Sequence, residues 1–420
     1  MTSDRAAGWP KPPRPDWVAR VNAEGAGMDL RGVVPLDEDS LIRHVTQRTG
    51  LDDFGPDDWR EPFRLYLGDL EEYAELTLMG RLMTRQDLLN ILEARLLIEQ
   101  AYKEHPEIAE ERITAPFYII GQPRTGTSYL HNLLTADPDH GAVLQWEAMF
   151  PAPPPQAATY RTDPRIERAH HLISQWYRVT PELDTLHEFE AELPTENLQV
   201  YALNFMSAIW LGIYGQCPSL LSWIAEHGMA DALRYEQRVL RLLQWRNPRK
   251  RWIFKTPDAM RYLPEILEAY PDITFLFTHR DPVKAMSSAV NMFGMCMYVR
   301  SDRPFLPGTY EAFARVENSA PMLEQVIDWV QDGTVPCRQL YNIHYADLVA
   351  DPLAVIDTLY RHHGDELTGE RRAAVQAFVD SRPRDARPPN VYRTGSAEQV
   401  SAERAAFKRY QEHFGVLSEP

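Results

Sequence analysis

The feature that most constrains this chain is an apolar segment that runs into a Gly/Pro turn and then into an amphipathic helix. Residues 117–120 read Phe-Tyr-Ile-Ile, residues 121–128 read Gly-Gln-Pro-Arg-Thr-Gly-Thr-Ser, and apolar side chains at helical spacing follow. We predict a strand, a tight loop and a helix in that order. The loop would then cradle an anion, because backbone N–H groups at the start of a helix point toward a negative charge.

The basic residue of this loop is not where the phosphate loop of nucleoside triphosphatases has it. Gly121 and Gly126 match the glycine spacing of that loop, but Thr127 stands at the lysine position and Arg124 lies three positions earlier. Those enzymes pair the lysine with Mg²⁺ held by an aspartate after another strand, and the sequence offers no obvious aspartate of that kind. A fixed cation and backbone amides can instead stabilise a leaving phosphate without a metal ion. A strand-to-helix turn with a chance arginine fits the same residues, so the loop alone leaves both interpretations open.

A second strand-to-helix segment favours the anion-binding interpretation. Residues 274–278 are β-rich, Arg280 follows them, and Ser288 lies eight positions later on the next predicted helix. An arginine holds a phosphate through two parallel hydrogen bonds, and a hydroxyl on the helix adds another donor. The alternative is that Arg280 only starts a helix and Ser288 lies on the surface. Two anion-type loops in this order rarely arise by chance.

Together the two segments resemble the sulfotransferase family that uses 3′-phosphoadenosine 5′-phosphosulfate (PAPS), most closely its soluble bacterial branch and the glycan O-sulfotransferases. Residues 121–128 are similar to the family's 5′-phosphosulfate loop, and residues 279–288 are similar to its 3′-phosphate loop. The resemblance covers roughly residues 115–420. It implies an α/β, P-loop-like sulfotransferase fold, in which helices flank a central parallel β-sheet and a helical extension precedes it.

The resemblance also implies the chemistry. A sulfuryl group would pass in line from PAPS to a hydroxyl of a small or lipid-like acceptor, without a metal ion. Arg124 stands where cytosolic members have a lysine, and either cation can neutralise the leaving phosphate. The residues that the resemblance places at the nucleotide are Gln122, Pro123, Arg124, Thr125, Gly126, Thr127, Ser128, Arg280, Ser288 and Arg393.

The acceptor hydroxyl loses a proton as it attacks sulfur, and family members use Glu or His to take that proton. We predict Glu147 as this catalytic base, because it lies 23 residues after Arg124, a separation similar to that in glycan O-sulfotransferases. It also follows the strand-like residues 143–146, and the alternative role is a salt bridge at a strand end. The rival bases are His187, Glu192 and Glu196.

Lys255 is the remaining predicted catalytic residue, beside Arg124. It ends an apolar strand-like run and begins a Lys-Thr-Pro turn. In related sulfotransferases a lysine in such a turn reaches the reaction centre, which implies that Lys255 orients the acceptor or stabilises charge on the sulfuryl group. A surface lysine whose stem lies along apolar neighbours is an equally good interpretation of the same residues.

Apolar residues near the two loops indicate the acceptor only in outline. A proline-rich stretch at residues 151–155 follows Glu147, and a methionine-rich stretch follows the second loop. Methionine adapts to irregular apolar surfaces, so a pocket of this kind suits a lipid or aromatic alcohol, with core packing as the alternative. The methionine-rich stretch contains Met292, Phe293, Met295, Met297 and Tyr298.

Two other functions remain open at the level of sequence. One is a kinase or nucleoside triphosphatase with a degenerate phosphate loop, and the other is a nucleotide-binding protein that has lost its base. Bound Mg²⁺ or ATP turnover would favour the first. Tight nucleotide binding without transfer to any alcohol would favour the second.

Charge and cysteine content narrow the partners and the compartment. The net charge of −16 argues against nucleic acid as a partner. The three cysteines are widely spaced, and the chain has neither an apolar run long enough to span a bilayer nor a signal-peptide core. We therefore expect a cytoplasmic, bacterial protein without a membrane span. The sequence predicts no oligomeric state.

Patterning divides the chain into three regions. We predict a flexible proline-rich arm at residues 1–16, a helical extension at 17–114 and the sulfotransferase domain at 115–420. Thr84 and Asp87 resemble a capping box at the start of a helix. An apolar stripe of core type follows them, at Leu88, Ile91, Leu92 and Leu96. The strand candidates are residues 117–121, 252–254, 274–278 and 340–344.

Overall fold

A parallel β-sheet forms the centre of the computed structural model, which describes Trp9 and residues 11–305, 315–382 and 396–419. The strands are β1 (Phe117–Ile120), β2 (His140–Gly141), β3 (Arg251–Lys255), β4 (Thr274–His279) and β5 (Leu340–His344). In space they follow the order β2-β3-β1-β4-β5, and every neighbouring pair is parallel. This arrangement confirms the predicted α/β fold with helices around a central parallel sheet.

The strand sequences explain why the central part of the sheet is buried on both faces. All residues of β1 and β4 are buried, as expected for near-continuous apolar runs under helices on both sides. Tyr118 in β1 pairs with Phe254 in β3 and with Phe275 in β4, which sets the register of the three central strands. Each strand candidate from the sequence is present, with ends that differ by at most one residue. Of the strands in the described residues, only the two-residue β2 was missed.

The described elements before β1 are helical, as predicted for the extension. The longest helix, Leu78–Glu104, buries the predicted apolar stripe, including Leu88 and Leu92. The capping box at Thr84 is wrong, because this helix begins after Thr77, whose side chain accepts a hydrogen bond from the Gly80 N–H. The α-helices here are Asp16–Gly25, Leu30–Val33, Glu38–Thr49, Arg60–Glu72 and Leu78–Glu104, with 3₁₀ turns at Asp57–Trp59 and Pro106–Glu110.

Helices also connect and cover the strands. Among the residues described, no helix is long and apolar enough to cross a membrane. Short 3₁₀ turns lie at Ala157–Thr162, Pro181–Thr185, Pro257–Arg261 and Cys337–Gln339. The α-helices are Thr127–Thr135, Gln145–Met149, Pro164–Val179, Leu198–Ala202, Ala208–Gly212, Pro218–His227, Ala230–Gln244, Leu263–Ala269, Pro282–Tyr298, Val316–Gln331, Tyr345–Ala350, Pro352–His362, Gly369–Ser381, Ala397–Ala406 and Lys408–Phe414.

The described part of the proline-rich arm is anchored rather than loose. The Trp9 indole donates to the Asn291 side chain at 2.9 Å, and its ring meets Tyr298 edge-on at 5.8 Å. Arg14 pairs with Asp302 at 2.8 Å. The first helix then begins at Asp16. Aromatic and ionic contacts thus join these residues to the main body, and the flexible arm at residues 1–16 stays a prediction.

The helical extension shares its hydrophobic core with the rest of the protein. Side chains such as Trp59 and Phe63 belong to the same buried cluster as Tyr118 of β1 and Phe205. The rings of Phe63 and Phe205 lie 4.5 Å apart. The boundary between an extension and a sulfotransferase domain at residue 115 therefore stays a prediction, since the two parts pack as one core.

Candidate active site

The candidate site lies at the carboxyl ends of three neighbouring strands, β3, β1 and β4. Lys255 ends β3, the loop 121–126 follows β1, and Arg280 follows β4. In open parallel sheets, ligands bind at the carboxyl ends of the strands. The binding crevice lies where the connections from two adjacent strands lead to opposite sides of the sheet. A cavity of about 310 Å³ opens here. Residues of the first loop that line it are Gln122, Pro123, Arg124, Gly126, Thr127 and Ser128, and the other polar lining residues include His187, Glu196, Lys255, Asp258, Arg261, Arg280 and Tyr345.

The backbone of the first loop explains its two glycines. Gly121 has φ +139°, and a Cβ atom there would lie 2.3 Å from the Thr278 hydroxyl oxygen. Gly126 has φ +90° and precedes the helix Thr127–Thr135. Arg124 itself adopts φ +73°, a left-handed conformation that costs a non-glycine residue about 1–3 kcal/mol and is typical of functional loops. The Thr125 hydroxyl is buried under the loop, where it donates to the Gln122 carbonyl at 2.7 Å.

The two predicted anion loops meet at the cavity. The Arg280 guanidinium donates from Nη1 to the backbone carbonyl of Arg124 at 2.9 Å. Arg124 in turn donates from Nε to the Ser288 hydroxyl at 3.0 Å. The Arg280 guanidinium also lies 4.3 Å from the centre of the Tyr345 ring. The structure therefore brings Arg124, Arg280 and Ser288 together, although Ser288 is buried behind the cavity lining.

Glu419 holds the Arg280 guanidinium, a contact that no sequence motif indicates. Arg280 donates from Nε and Nη2 to the two carboxylate oxygens of Glu419, at 2.7 and 2.8 Å. Hydrogen bonds from Arg280 lower the pKa of the Glu419 carboxyl below its ordinary value. The Glu419 backbone is fixed as well, since its N–H donates to Asp281 at 2.8 Å and its carbonyl accepts from Arg404 at 2.7 Å.

Lys255 lies inside the site rather than on the surface. Only 3% of the residue is exposed, and its Nζ donates to the Ser128 hydroxyl at 2.9 Å. The same ammonium group forms an ion pair with Glu196, which also lines the cavity. The alternative of a surface lysine is therefore wrong, because the end of β3 directs this side chain toward the first loop.

The structure contradicts Glu147 as the general base. The residue lies in the helix Gln145–Met149, not after a strand, and it is completely buried. Its carboxylate accepts from Arg249 Nη2 at 2.5 Å and from the Leu144 N–H at 2.9 Å. Burial raises the pKa of Glu147, and the charge of Arg249 opposes the rise. Glu147 is not part of the cavity lining, so the salt bridge explains it.

The rival bases separate into one exposed residue and two cavity residues. Glu192 is exposed and does not line the cavity, whereas His187 and Glu196 do. The His187 ring stacks on Phe189 with 4.2 Å between centroids, and its Nδ1 lies 3.2 Å from the Glu188 carbonyl oxygen. A donor at Nδ1 would leave Nε2 as the proton acceptor.

One side of the cavity is apolar. Met292 and Phe293 line it, as expected for an acceptor pocket, but Met295, Met297 and Tyr298 are buried elsewhere. The proline-rich residues 151–155 are likewise not part of the lining. Arg393 lies outside the described residues. The apolar lining on this side includes Ile209, Met286, Ala289, Met292, Phe293 and Met322.

Comparison with known proteins agrees with this geometry. Residues 116–368, more than half of the chain, match the model of the Sulfotransferase family. Curated relatives include the omega-hydroxy-beta-dihydromenaquinone-9 sulfotransferase Stf3 of Mycobacterium bovis and that of Mycobacterium tuberculosis, each 25% identical over 264 residues. The matched region covers 59% of this chain, and it spans only 62% of the length of those relatives.

Two solved structures share the fold over nearly the whole chain. Sulfotransferase STF9 from Mycobacterium avium superimposes with a TM-score of 0.78 at 24% identity, covering 91% of this chain and 97% of its own. Sulfotransferase STF1 from Mycobacterium tuberculosis H37Rv gives a TM-score of 0.70 at 26% identity, covering 91% of this chain and 99% of its own. Sequence motifs, sheet topology and these matches agree: the chain belongs to the sulfotransferase family.

Proposed function

We propose that this protein transfers a sulfuryl group from PAPS to a hydroxyl of a lipid-like acceptor, without a metal ion. The observation that carries the proposal is the contact between the two anion loops. Arg280 reaches the backbone of Arg124, and Arg124 reaches Ser288, so one wall of the cavity presents two guanidinium groups and a helix N-terminus. Such a wall suits a ligand with two separate phosphate-type groups.

The proposed donor would span the two loops. Its 5′-phosphosulfate would lie at Arg124 and at the N–H groups that start the helix Thr127–Thr135, and its 3′-phosphate would lie at Arg280 and Ser288. Glu419 now pairs with the Arg280 guanidinium, so a 3′-phosphate would have to compete with that carboxylate. Arg393 belongs to the proposed nucleotide site on the resemblance alone.

In the proposed reaction the acceptor oxygen attacks sulfur opposite the bridging oxygen of the phosphosulfate. The new O–S bond forms as the S–O bond to the phosphate breaks, and 3′-phosphoadenosine 5′-phosphate leaves with the electron pair. Arg124 and Lys255 would stabilise the charge on the leaving phosphate and on the sulfuryl oxygens. The acceptor proton would pass to His187 or to Glu196, the two rival bases that line the cavity.

The acceptor class follows from the apolar side of the cavity. Apolar residues, including Met286, Met292 and Phe293, line the space beside the reacting groups. The mycobacterial relatives are named for an omega-hydroxylated menaquinone, a lipid-like molecule with a hydroxyl group. A long apolar alcohol fits this lining better than a polyanionic glycan, because the protein carries a net charge of −16.

The compartment is part of the same proposal. The three cysteines are all free, and two of them, Cys217 and Cys296, are buried. Free thiols are typical of a reducing compartment, which supports the cytoplasm as the location. Accessibility of the thiols in freshly lysed cells, measured by alkylation before any reductant is added, would test this point. Extensive prior oxidation of Cys337 would contradict it.

The direct test is transfer from ³⁵S-labelled PAPS to a panel of alcohols, ordered from short alkanols to isoprenoid and quinone-linked alcohols. We expect transfer to the long apolar members in the presence of EDTA, and loss of the preference for 3′-phosphorylated nucleotide in Arg280→Ala. Metal-dependent ATP turnover in place of sulfuryl transfer would favour the kinase alternative. Tight binding of 3′-phosphoadenosine 5′-phosphate without transfer to any alcohol would favour a non-catalytic protein.

A further inference from the structure

The ion-paired Lys255 and Glu196 come from segments far apart in sequence, and Asn197 joins these segments. Glu196 precedes the helix Leu198–Ala202, whereas Lys255 ends β3. The Asn197 N–H donates to the Lys255 carbonyl at 3.0 Å, and the Lys255 N–H donates to the Asn197 side-chain oxygen at 3.0 Å. Asn197 thus satisfies both backbone groups of Lys255 on the edge of β3 that β2 leaves unpaired, since β2 pairs only with Arg251 and Trp252.

The side chain of Asn197 does not cap the helix that it precedes. Asn197 is the N-cap residue of the helix Leu198–Ala202, and asparagine is favoured there because its oxygen accepts from a helix N–H. No such hydrogen bond is present at this cap. The side-chain oxygen of Asn197 accepts from the Lys255 N–H instead. The helix start therefore lacks a side-chain cap, and the end of β3, which carries the cavity lysine, gains a hydrogen bond.

Glu236 fixes which way the Asn197 amide faces. The Asn197 NH₂ group donates to Glu236 Oε1 at 2.6 Å, and the Tyr270 hydroxyl donates to Glu236 Oε2 at 2.7 Å. Asn197 is 2% exposed and Glu236 is completely buried. An acceptor at this place requires the NH₂ group to face Glu236, which leaves the amide oxygen for the Lys255 N–H. Burial also raises the pKa of the Glu236 carboxyl to about 7, and hydrogen bonds from Asn197 and Tyr270 oppose the rise.

We propose that Asn197 and Glu236 are positioning residues for sulfuryl transfer, holding Lys255 and Glu196 in register with Ser128. This inference rests on the proposed function, because it assigns a purpose to groups of that site. Asn197 and Glu236 would touch neither donor nor acceptor. A small displacement of a catalytic group can lower the rate about a hundredfold. Asn197 and Glu236 would therefore affect kcat through the placement of the Lys255 ammonium group.

The sharpest test exchanges the amide and the carboxylate. At pH 8, where Glu236 is ionised, Asn197→Asp places a second carboxylate against Glu236, so we expect kcat for transfer from PAPS to fall by about 10–100-fold. Glu236→Gln alone should keep most of the activity, because its carbonyl oxygen still accepts from Asn197 while its NH₂ group faces the Tyr270 hydroxyl. In the double variant Asn197→Asp/Glu236→Gln the NH₂ group of Gln can donate to the new carboxylate. We expect kcat to recover toward the wild-type value.

Two controls separate positioning from general damage. Gln199→Ala removes another buried amide from the same helix, one that donates to Gln145 at 2.6 Å and does not contact Lys255. It should lower the melting temperature without changing kcat of the folded enzyme. The dissociation constant of 3′-phosphoadenosine 5′-phosphate should change by less than about threefold in Asn197→Asp, because the contacts of Arg124 and Arg280 remain.

The outcomes of this test are separable. If wild-type protein neither binds the nucleotide nor transfers sulfate, the proposed function fails and this inference falls with it. If wild-type protein transfers sulfate and Asn197→Asp matches it in kcat, only the positioning role is overturned. A double variant that stays as slow as Asn197→Asp would also overturn it, since complementarity between the two side chains would then not matter.

Discussion

Removing the negative charge of Glu419 is expected to tighten the binding of nucleotides that carry a 3′-phosphate. The Glu419 carboxylate accepts hydrogen bonds from Nε and Nη2 of Arg280. The Glu419 side chain is 34% exposed and the Arg280 side chain is 18% exposed. Fully exposed ion pairs contribute about 0–1 kcal/mol, and hydrogen bonds to charged groups about 1.5–3 kcal/mol. For this partly buried bidentate pair we take about 1–1.4 kcal/mol. A 3′-phosphate that displaces Glu419 should therefore bind about 5–10-fold more tightly to Glu419→Gln.

Calorimetry with two nucleotides can isolate this effect. Adenosine 5′-phosphate lacks the 3′-phosphate, so Glu419→Gln should change its affinity by less than about twofold while tightening 3′-phosphoadenosine 5′-phosphate about 5–10-fold. In an Arg280→Ala background the effect of Glu419→Gln should disappear. Glu412→Gln is the matched control, because Glu412 is an exposed acid of the same terminal region that contacts only Lys408, at 3.7 Å, in the described contacts. All titrations need one fixed salt concentration, since screening weakens each of these interactions.

Two results would refute this reasoning. If Glu419→Gln weakened 3′-phosphoadenosine 5′-phosphate, Glu419 would be orienting Arg280 for the phosphate rather than competing with it. If both nucleotides tightened equally, the carboxylate would act as a general negative charge near the cavity. The hydrogen bond from Arg280 Nη1 to the Arg124 carbonyl would then be the contact that keeps Arg280 in place.

The other predictions concern the catalytic groups and the buried acids. Arg124→Ala should lower kcat by about 10²–10³-fold in PAPS assays, whereas Arg124→Lys should keep much more activity. Of His187→Asn and Glu196→Gln, the variant that removes the base should lower kcat by about 10²–10⁴-fold without weakening nucleotide binding. Glu147→Gln should leave kcat unchanged and lower the melting temperature. Glu236 keeps its proton in the folded protein up to a pH of about 7, against an ordinary pKa of 4.5. Folding stability measured by urea should therefore fall by about 3 kcal/mol from this group as pH rises through that window, and Glu236→Gln should remove the fall.

The strands and the two loops were predictable because their signals are local. β1 and β4 are short apolar runs, and a run that is buried on both faces needs no alternation to be recognised. The glycines of the first loop were equally readable, because positive φ at Gly121 and Gly126 is a property of the residue type. Because β1 and β4 pair in parallel, the residues that follow them lie side by side. The two sequence motifs therefore suffice to predict the position of the site.

The base and the arginine partner were not predictable, because they depend on contacts between distant segments. The spacing between Arg124 and Glu147 says nothing about the direction of the carboxylate, and a five-residue helix turns it toward Arg249 instead of the cavity. Glu419 carries no motif at all, yet it reaches Arg280 from 139 positions away. A sequence pattern could have signalled only that a buried acid needs a basic partner.

Asn197 illustrates a third kind of residue, whose local pattern is correct but whose use differs. An asparagine before a short helix is read as a cap, and Asn197 does occupy that position. Its amide is oriented by Glu236 and its oxygen accepts from the Lys255 N–H, so a cap position does not by itself identify the hydrogen-bond partner. In this family member the strand ends supply the charged groups, and buried polar side chains between the strands and helices determine where those groups point. Substitutions behind the cavity should therefore alter turnover more selectively than their distance from the reacting atoms would imply.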